Sequence, residues 1–387
     1  MNHATATQGR ARLLAVLLGL VLAVLAAEGL LRVVGPGDGV CYRLDPELLH
    51  DAVPGGRRTQ LMPGPTGPRR VEVAFNALGL RGPLPREAGP RVLLLGDSLV
   101  LAGNTPEPET LRARLEARLE GVQVLNAGRE SYGPDQSLLW LRRHGADLRP
   151  DAVVLVLCAH NDFGDLVRNR LFDLGRDGAL ERARTALAPQ LVARFGQRRG
   201  SRSALLRWLA GLGAEVAAED PPDPEALLAA WLAASQAQVA DALTGPPVVV
   251  DLEQDTYDAD LALDPGGASA AHKRALMTAV LRTLRTDLEA LGVPALAAVV
   301  PSAVDANPSY PVRPAPGRWP DLVPNGPALG LAQCAEAADW PVVDLTGTLA
   351  DLGAQAFEQG LDFHWSAAGQ EAAAEVLAPS VAGLLEP

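Results

Sequence analysis

Cysteine is scarce in this sequence. Three cysteines, Cys41, Cys158 and Cys334, occur in 387 residues, with no C-x-x-C spacing and no neighbouring pair of histidines. Zinc sites and disulfide frameworks depend on such spacings. The sequence therefore indicates neither a metal site nor a disulfide-stapled scaffold, and it leaves open only a single bridge in an oxidising compartment.

Positive charge is in deficit as well. The chain has 34 lysines and arginines against 46 aspartates and glutamates, which gives a net charge of −12. A surface of this sign repels phosphate backbones, so we predict no nucleic-acid partner. Hydrophobic residues, in contrast, make up 48% of the chain, which is enough to bury a large core and excludes wholesale disorder.

The longest apolar run lies at the N-terminus. Residues 13–27 are all Leu, Val, Ala or Gly, and Arg10 and Arg12 precede them. A membrane span needs about 20 residues, which residues 13–32 supply, whereas a secretory signal needs only a shorter apolar core. Because the stretch after the run offers only weak cleavage sites, an uncleaved anchor is favoured over a signal peptide. We predict that residues 1–33 form a cytoplasmic tip and a transmembrane anchor or signal segment.

The body of the protein is expected outside the cytoplasm. Arginines on the N-terminal side of a span stay in the cytoplasm, so the chain after the anchor would face the periplasm or the cell surface. Residues 34–90 are rich in glycine and proline and have few periodic apolar runs. We predict that they form a linker and a loop-rich lead-in, without a domain of their own.

Residues 91–387 alternate short apolar runs with helical patterns. The runs are rich in β-branched residues and bounded by polar or Gly/Pro residues, as buried parallel strands are; they lie at 92–95, 122–125, 152–157, 295–300 and 342–345. Apolar residues at helical spacing lie between them. This pattern predicts an α/β domain of three layers and flavodoxin-like type, with a five-stranded parallel sheet.

One stretch interrupts the alternation. Residues 166–245 contain at least two helical patterns, one around residues 203–212 and one around residues 225–243. We interpret this stretch as a helical insertion into the α/β domain, and the chain shows no tandem repeat.

Several polar residues follow the predicted strands, where doubly wound sheets place their sites. Gly96-Asp97-Ser98 follows the first strand and puts a serine hydroxyl at a tight turn. Asn161 follows the third strand, where its amide could bind a developing oxyanion. Near the C-terminus, Asp362 precedes His364, so a carboxylate could orient an imidazole as a general base.

In this order the motifs resemble those of the SGNH, or GDSL-type, hydrolase family, in particular its membrane-anchored bacterial members. Gly96-Asp97-Ser98 resembles the nucleophile segment, Asn161-Asp162 the Gly-x-Asn-Asp segment, and Asp362 with His364 the terminal Asp–His pair. Further similarity lies at residues 75–82, 108–110 and 125–128, and the resemblance covers about residues 70 to 380 without the insertion.

The resemblance implies a mechanism. Ser98 would attack an acyl carbonyl, His364 would take its proton, and Asp362 would orient the imidazole. The family's oxyanion hole would use the Ser98 N–H, the Asn161 amide and the N–H of a glycine, whose place in this chain is taken by Ser131; Gly128 is the alternative donor. No cofactor and no metal are implied.

The sequence departs from the family pattern in two further places. Ala159 stands where the Gly-x-Asn-Asp segment has its glycine, and Asp362 precedes His364 by two residues where the commoner spacing is three. With an Asp362 side chain turned away from the imidazole, the enzyme would work as a Ser–His dyad or not at all. Three other acids near the strand ends are interpreted as structural hydrogen-bond acceptors: Asp97, Asp162 and Asp165.

The predicted function is that of a serine esterase acting on acyl esters, with short-chain and carbohydrate O-acyl groups as candidate substrates. An O-acyltransferase acting on envelope polysaccharide uses the same acyl-enzyme chemistry and stays open. A non-catalytic carbohydrate-binding relic is the third alternative. A dimetal phosphoesterase is disfavoured, because only His160 and His364 lie near the candidate site. The expected partners are an acyl-ester substrate and, through the N-terminal helix, a membrane.

Overall fold

The structure is a computed structural model, and it describes residues 16–30, 41–62, 69–198, 223–253, 256–315 and 317–386. The strands in these ranges are β1 (Tyr42–Asp45), β2 (Leu49–Ala52), β3 (Arg57–Met62), β4 (Arg69–Ala74), β5 (Arg91–Leu95), β6 (Gln123–Asn126), β7 (Ala152–Cys158), β8 (Phe172–Leu174), β9 (Leu180–Arg182), β10 (Ala186–Leu187), β11 (Val248–Val249), β12 (Ala295–Val300) and β13 (Val342–Asp344).

The helices in the same ranges are α1 (Val16–Leu30), α2 (Ser98–Leu101), α3 (Leu111–Arg118), α4 (Pro134–Leu148), α5 (Asp162–Asn169), α6 (Pro189–Arg198), α7 (Pro224–Thr244), α8 (Ala259–Leu263), α9 (Ala268–Leu291), α10 (Ala303–Ala306), α11 (Gly326–Glu336), α12 (Thr346–Leu352) and α13 (Ala367–Leu384). Two short 3₁₀ helices lie at Glu107–Glu109 and Gly353–Ala356.

A five-stranded parallel sheet forms the centre of the body. Its strand order is β13-β12-β7-β5-β6, so the chain order of its strands reads 2-1-3-4-5 from the β6 edge. All five strands predicted from the apolar runs lie in this sheet, and the predicted α/β fold is confirmed. In this topology the crevice for a ligand opens beside the carboxyl ends of β5 and β7, where the strand order reverses.

Both faces of the sheet are covered by helices. Leu93 and Leu95 point into a core shared with α4, α9 and α11, whereas Val92 and Leu94 point into a core shared with α3 and α13. The alternation follows from the two-residue period of a strand. Because both faces are buried, each strand reads as a continuous apolar run, and the sequence signal for it is strong.

The lead-in contains strands that the sequence analysis did not predict. β1 pairs with β2 and β3 pairs with β4, and both pairs are antiparallel. Within β4, Val71 and Val73 are buried and Glu72 is exposed, which is the alternation of a half-buried strand. The expectation of a loop-rich segment was wrong for the four strands β1–β4, because the surrounding glycines and prolines obscured their short apolar alternation.

The insertion contributes α7 at the position predicted around residues 225–243. Asp223 begins this helix by accepting a hydrogen bond from the Glu225 N–H at 3.1 Å, and Leu228 and Val239 are buried against the body. The other predicted helix, around residues 203–212, lies outside the described residues.

The candidate membrane segments differ from the prediction. Among the described helices, α7 is the one long and apolar enough to cross a membrane, judged by length and composition only. Its apolar character comes largely from alanines, and one helix of this kind is weak evidence for a membrane span. The N-terminal helix α1 is shorter than the about 20 residues a span requires, and the residues on either side of it lie outside the described ranges. An N-terminal anchor therefore stays a prediction.

Candidate active site

Ser98 lies at the turn that follows β5. Gly96 has φ +152°, and a Cβ atom there would lie 2.9 Å from the Val156 carbonyl oxygen, so this position requires glycine. Asp97 then caps α2 by accepting a hydrogen bond from the Leu99 N–H at 2.8 Å. Ser98 is the first residue of α2 and is 6% exposed. The strand, the glycine and the cap together fix the serine at the carboxyl edge of the sheet.

Two buried side chains hold α2 in place. Asn126, at the end of β6, donates from Nδ2 to the Val100 carbonyl at 2.6 Å. Arg81 donates to the Thr105 carbonyl at 2.6 Å and also to the carbonyls of Leu101 and Ala102. Both residues belong to segments that resemble the hydrolase family, but the sequence analysis gave neither a role. The structure makes them supports of the nucleophile turn.

The structure brings Ser98, His364 and Asp362 into one chain of hydrogen bonds. His364 Nε2 lies 2.8 Å from Ser98 Oγ, and His364 Nδ1 lies 2.6 Å from Asp362 Oδ1. Because an ionised carboxylate only accepts hydrogen bonds, Nδ1 carries the proton and Nε2 is left to accept from the serine hydroxyl. The two-residue spacing therefore allows the carboxylate to reach the imidazole.

A second contact orients Asp362 from the opposite side. Asn104 Nδ2 donates to Asp362 Oδ2 at 3.1 Å, and Gln60 Nε2 donates to Asn104 Oδ1 at 3.3 Å. Burial raises the pKa of Asp362, but the hydrogen bonds from His364 and Asn104 outweigh it and hold that pKa below its ordinary value. The carboxylate is therefore ionised at neutral pH. Sequence reasoning missed Asn104 and Gln60, which no local motif marks.

Aromatic rings support the imidazole of His364. Phe363 stacks against it with 4.5 Å between ring centroids, and against His160 at 3.9 Å. His160 is bonded through Nδ1 to Ser302 Oγ at 2.9 Å, and burial lowers its pKa to about 3. Since it is neutral, His160 adds no charge beside His364. The stack restricts rotation of the imidazole ring.

The predicted oxyanion-hole residues lie on two loops that flank the serine. Asn161 follows β7, which is hydrogen-bonded to β5, and it is the N-cap of α5. Ser131 lies in the loop after β6 and has φ +54°, the left-handed conformation that glycine adopts easily. Ala159 has no positive φ, so alanine is accommodated where the family has glycine.

The N–H groups of the loop after β6 narrow the choice of oxyanion-hole donor. Gly128 donates to Asn126 Oδ1 at 2.9 Å, so its N–H is engaged and the alternative donor considered from the sequence is wrong. Across the described residues, no protein acceptor meets the N–H of Ser98 or of Ser131. A donor to a bound oxyanion must have an N–H that is not already engaged in this way.

The remaining carboxylates near the strand ends are engaged in contacts within the protein. Asp162 Oδ2 accepts from the Cys158 N–H at 2.7 Å, and Asp165 pairs with Arg168 at 2.8 Å. Burial, with the charges of Asp97 and Asp165 beside it, raises the pKa of Asp162 well above its ordinary value.

Cysteine and metal chemistry were considered from the sequence. The three cysteines are buried free thiols, so no bridge forms among them. Within the ranges that the structure describes, no three His, Cys, Asp or Glu side chains are grouped so that they could hold a metal ion.

Comparisons with known proteins return structures and no sequence relatives. No family model matches the chain, and no curated protein matches it. A lipase/acylhydrolase from Enterococcus faecalis is 15% identical, with 77% of this chain and 98% of that chain covered and a TM-score of 0.37. An acetyl xylan esterase is 12% identical, with 75% and 99% covered and a TM-score of 0.37. A psychrotrophic esterase from Pseudoalteromonas sp. is 12% identical, with 76% and 98% covered and a TM-score of 0.36. At these values the likenesses assign neither a family nor an activity to this chain.

Proposed function

We propose that this protein is a serine hydrolase of the SGNH/GDSL type that acts on acyl esters. The observation that carries the proposal is the hydrogen-bonded chain from Ser98 Oγ through His364 to Asp362. A serine hydroxyl is a weak nucleophile until an adjacent base accepts its proton. Here the base is within hydrogen-bonding distance and is itself oriented by an ionised carboxylate.

The proposed reaction has two half-steps. Ser98 Oγ bonds to the acyl carbon while its proton passes to His364 Nε2, and the resulting tetrahedral intermediate carries the negative charge on the former carbonyl oxygen. As that intermediate collapses, the bond to the leaving alcohol breaks and His364 returns the proton to it, which leaves an acyl ester on Ser98. A water molecule then bonds to the acyl carbon while one of its protons passes to His364 Nε2, which gives a second tetrahedral intermediate. When this intermediate collapses, the bond to Ser98 Oγ breaks, His364 returns the proton to Ser98 Oγ, and the acid is released.

The negative charge of the two tetrahedral intermediates, one in each half-step, needs hydrogen-bond donors that are already in place. The Ser98 N–H, the Ser131 N–H and the Asn161 amide are the proposed donors, and they come from three loops that meet at the carboxyl edge of the sheet. Donors held before the reaction begins stabilise the charge without reorganising, which is the main electrostatic advantage of such a site.

The substrate and the location are proposed at a coarser level. Short-chain and carbohydrate O-acyl esters are the candidate substrates, and a polysaccharide hydroxyl replacing water would turn the same chemistry into O-acyl transfer. The leucines and valines of α1 are exposed, which suits insertion of this helix into a membrane with the body on the extracytoplasmic side.

Labelling with a fluorophosphonate probe, read by intact mass on the full chain in detergent, tests the proposal. One adduct that is lost in Ser98→Ala and is indifferent to a chelator is the expected result. Ser302→Ala is the matched control, because Ser302 is also hydrogen-bonded to a histidine and its replacement should leave the adduct intact. A folded wild-type protein that takes no label would overturn the proposal.

A further inference from the structure

The two peptide groups on either side of Ser131 are each held by a buried side chain from another part of the fold. The Glu130 carbonyl accepts a hydrogen bond from His50 Nε2 at 2.8 Å. The Ser131 carbonyl accepts one from Arg168 Nη2 at 2.7 Å. His50 belongs to the lead-in strand β2 and Arg168 to the last turn of α5, so both contacts join segments distant in the chain.

His50 makes its contact as a neutral donor. A carbonyl oxygen only accepts hydrogen bonds, so Nε2 carries the proton, while Nδ1 has no hydrogen-bond partner in the described part of the chain. Burial lowers the pKa of His50 to about 4. The ring packs edge-on against Tyr42 and Tyr132, with centroids 5.7 and 5.1 Å away. The imidazole therefore donates its one hydrogen bond to the Glu130 carbonyl, which precedes Ser131.

The geometry of the peptide bond transmits this contact to the Ser131 N–H. The C=O and N–H of a trans peptide point in opposite directions, so holding the Glu130 oxygen also sets the direction of the Ser131 N–H. The neighbouring N–H groups of Gly128, Arg129 and Glu130 donate to acceptors inside the protein. No protein acceptor among the described residues takes the Ser131 N–H.

Arg168 holds the following peptide group. Its side chain is 4% exposed and pairs at 2.8 Å with Asp165, which is 1% exposed, so the buried guanidinium is neutralised while it binds the Ser131 oxygen. The same helix, α5, carries Asn161 at its N-cap. A left-handed conformation is unfavourable for a residue with a Cβ atom. The hydrogen bonds to the Glu130 and Ser131 carbonyls hold Ser131 in the left-handed conformation, which glycine would adopt at no steric cost.

We propose that His50 and Arg168 are positioning residues of the oxyanion hole, which hold the Ser131 N–H in its donating orientation. The inference rests on the proposed function, since it deepens the role given there to Ser131. It makes the lead-in hairpin β1–β2 part of the catalytic unit.

The test is a comparison of His50→Phe with His50→Gln in the full chain, assayed on p-nitrophenyl acetate. Phenylalanine keeps a ring and removes the donor, whereas glutamine keeps an N–H donor. We expect His50→Phe to lower kcat by about 10–100-fold with KM within about threefold, because a misplaced group in an active site costs up to about 10²-fold. His50→Gln should retain most of the wild-type kcat, because it keeps the donor.

A double-mutant cycle with Ser131→Gly separates orientation from folding. Glycine adopts the left-handed conformation at no steric cost, so the loss caused by His50→Phe should shrink to about threefold or less in the Ser131→Gly background. A wild-type kcat for His50→Phe, or a loss that neither glutamine nor glycine reduces, would overturn the inference.

Two further measurements keep the outcome unambiguous. Fluorophosphonate labelling of the wild type at Ser98 is scored first, because its absence contradicts the proposed function and not the role of His50. If His50→Phe does not fold by circular dichroism, Arg168→Lys replaces it. Lysine keeps the positive charge beside Asp165 but lacks the planar guanidinium that binds the Ser131 carbonyl. We expect Arg168→Lys to lower kcat as His50→Phe does, and we expect this loss to shrink in the Ser131→Gly background.

Discussion

Asp362 and His364 are separated by one residue, yet their side chains meet at 2.6 Å between Oδ1 and Nδ1. Asp362 Oδ1 also accepts the backbone N–H of His364 at 2.9 Å. The carboxylate therefore contacts the same residue twice, through its ring and through its peptide. This local turn brings the acid to the imidazole at a spacing shorter than the commoner one.

Replacing Asp362 with asparagine should lower kcat by about 10³–10⁴-fold, because an amide no longer enforces the tautomer that leaves Nε2 free to accept. Steady-state hydrolysis of a short-chain p-nitrophenyl ester measures this. Glu358→Gln is the control, since Glu358 is a nearby carboxylate paired with Arg69 at 3.5 Å, and its kcat should stay within about threefold of wild type. Equal losses in both variants would contradict the role of Asp362.

Asn104→Ala should lower kcat by about tenfold. The variant removes a hydrogen bond to a charged carboxylate, an interaction of about 1.5–3 kcal/mol, only part of which is lost in the transition state. Gln60→Ala should give a smaller loss, because Gln60 reaches Asp362 only through Asn104. A pH–rate profile of Asn104→Ala is the second readout, and the activity should be lost at a higher pH on the acid side. An unchanged profile and kcat would show that the contact is unimportant.

Asn161→Ala should lower kcat by about 10²–10³-fold with little change in KM, the usual effect of removing one oxyanion-hole donor. The measurement is kcat and KM on the same ester. A normal kcat would remove Asn161 from the proposed oxyanion hole and leave only the two backbone N–H donors.

Asp135→Asn should stabilise the protein at pH 8 more than at pH 5. Burial raises the pKa of Asp135 to about 7 from an ordinary value of 3.8. The folded state therefore binds this proton more tightly than the unfolded state, and the stability it contributes is present below about pH 4 and lost as the pH rises through 7. We expect Tm to rise by at least about 2–4 °C at pH 8, which corresponds to about 1 kcal/mol.

Asp45 provides a control of opposite sign for that experiment. Burial raises the pKa of Asp45, but hydrogen bonds from Arg143 and from backbone N–H groups lower it to about 2. Its stabilising contribution is therefore present above its ordinary pKa. Asp45→Asn should lower Tm at pH 8, and a Tm change of the same sign in both variants would contradict the assignment.

The parts of this protein that could be predicted depend on local sequence patterns, whereas the parts that could not depend on contacts between residues far apart in the chain. Buried parallel strands read as continuous apolar runs, so β5, β7 and β12 could be located from the sequence, and the residues that follow them mark the site. Asn104 lies 258 residues from Asp362, and His50 lies 80 residues from Glu130. No local pattern encodes such pairs. The first forms only when the segment after α2 meets the C-terminal Asp–His segment, and the second only when the lead-in packs against the loop after β6.

The short connection between α1 and β1 limits how far the enzyme can reach. The described part of α1 reaches Leu30 and β1 begins at Tyr42. Even fully extended, a chain of this length covers at most about 3.6 Å per residue, or about 40 Å here. With α1 in a membrane, as proposed, His50 and the oxyanion loop that it contacts stay close to the bilayer surface. A connection of this length would confine the enzyme to esters in the layer of the cell envelope nearest the membrane and keep it from substrates farther out.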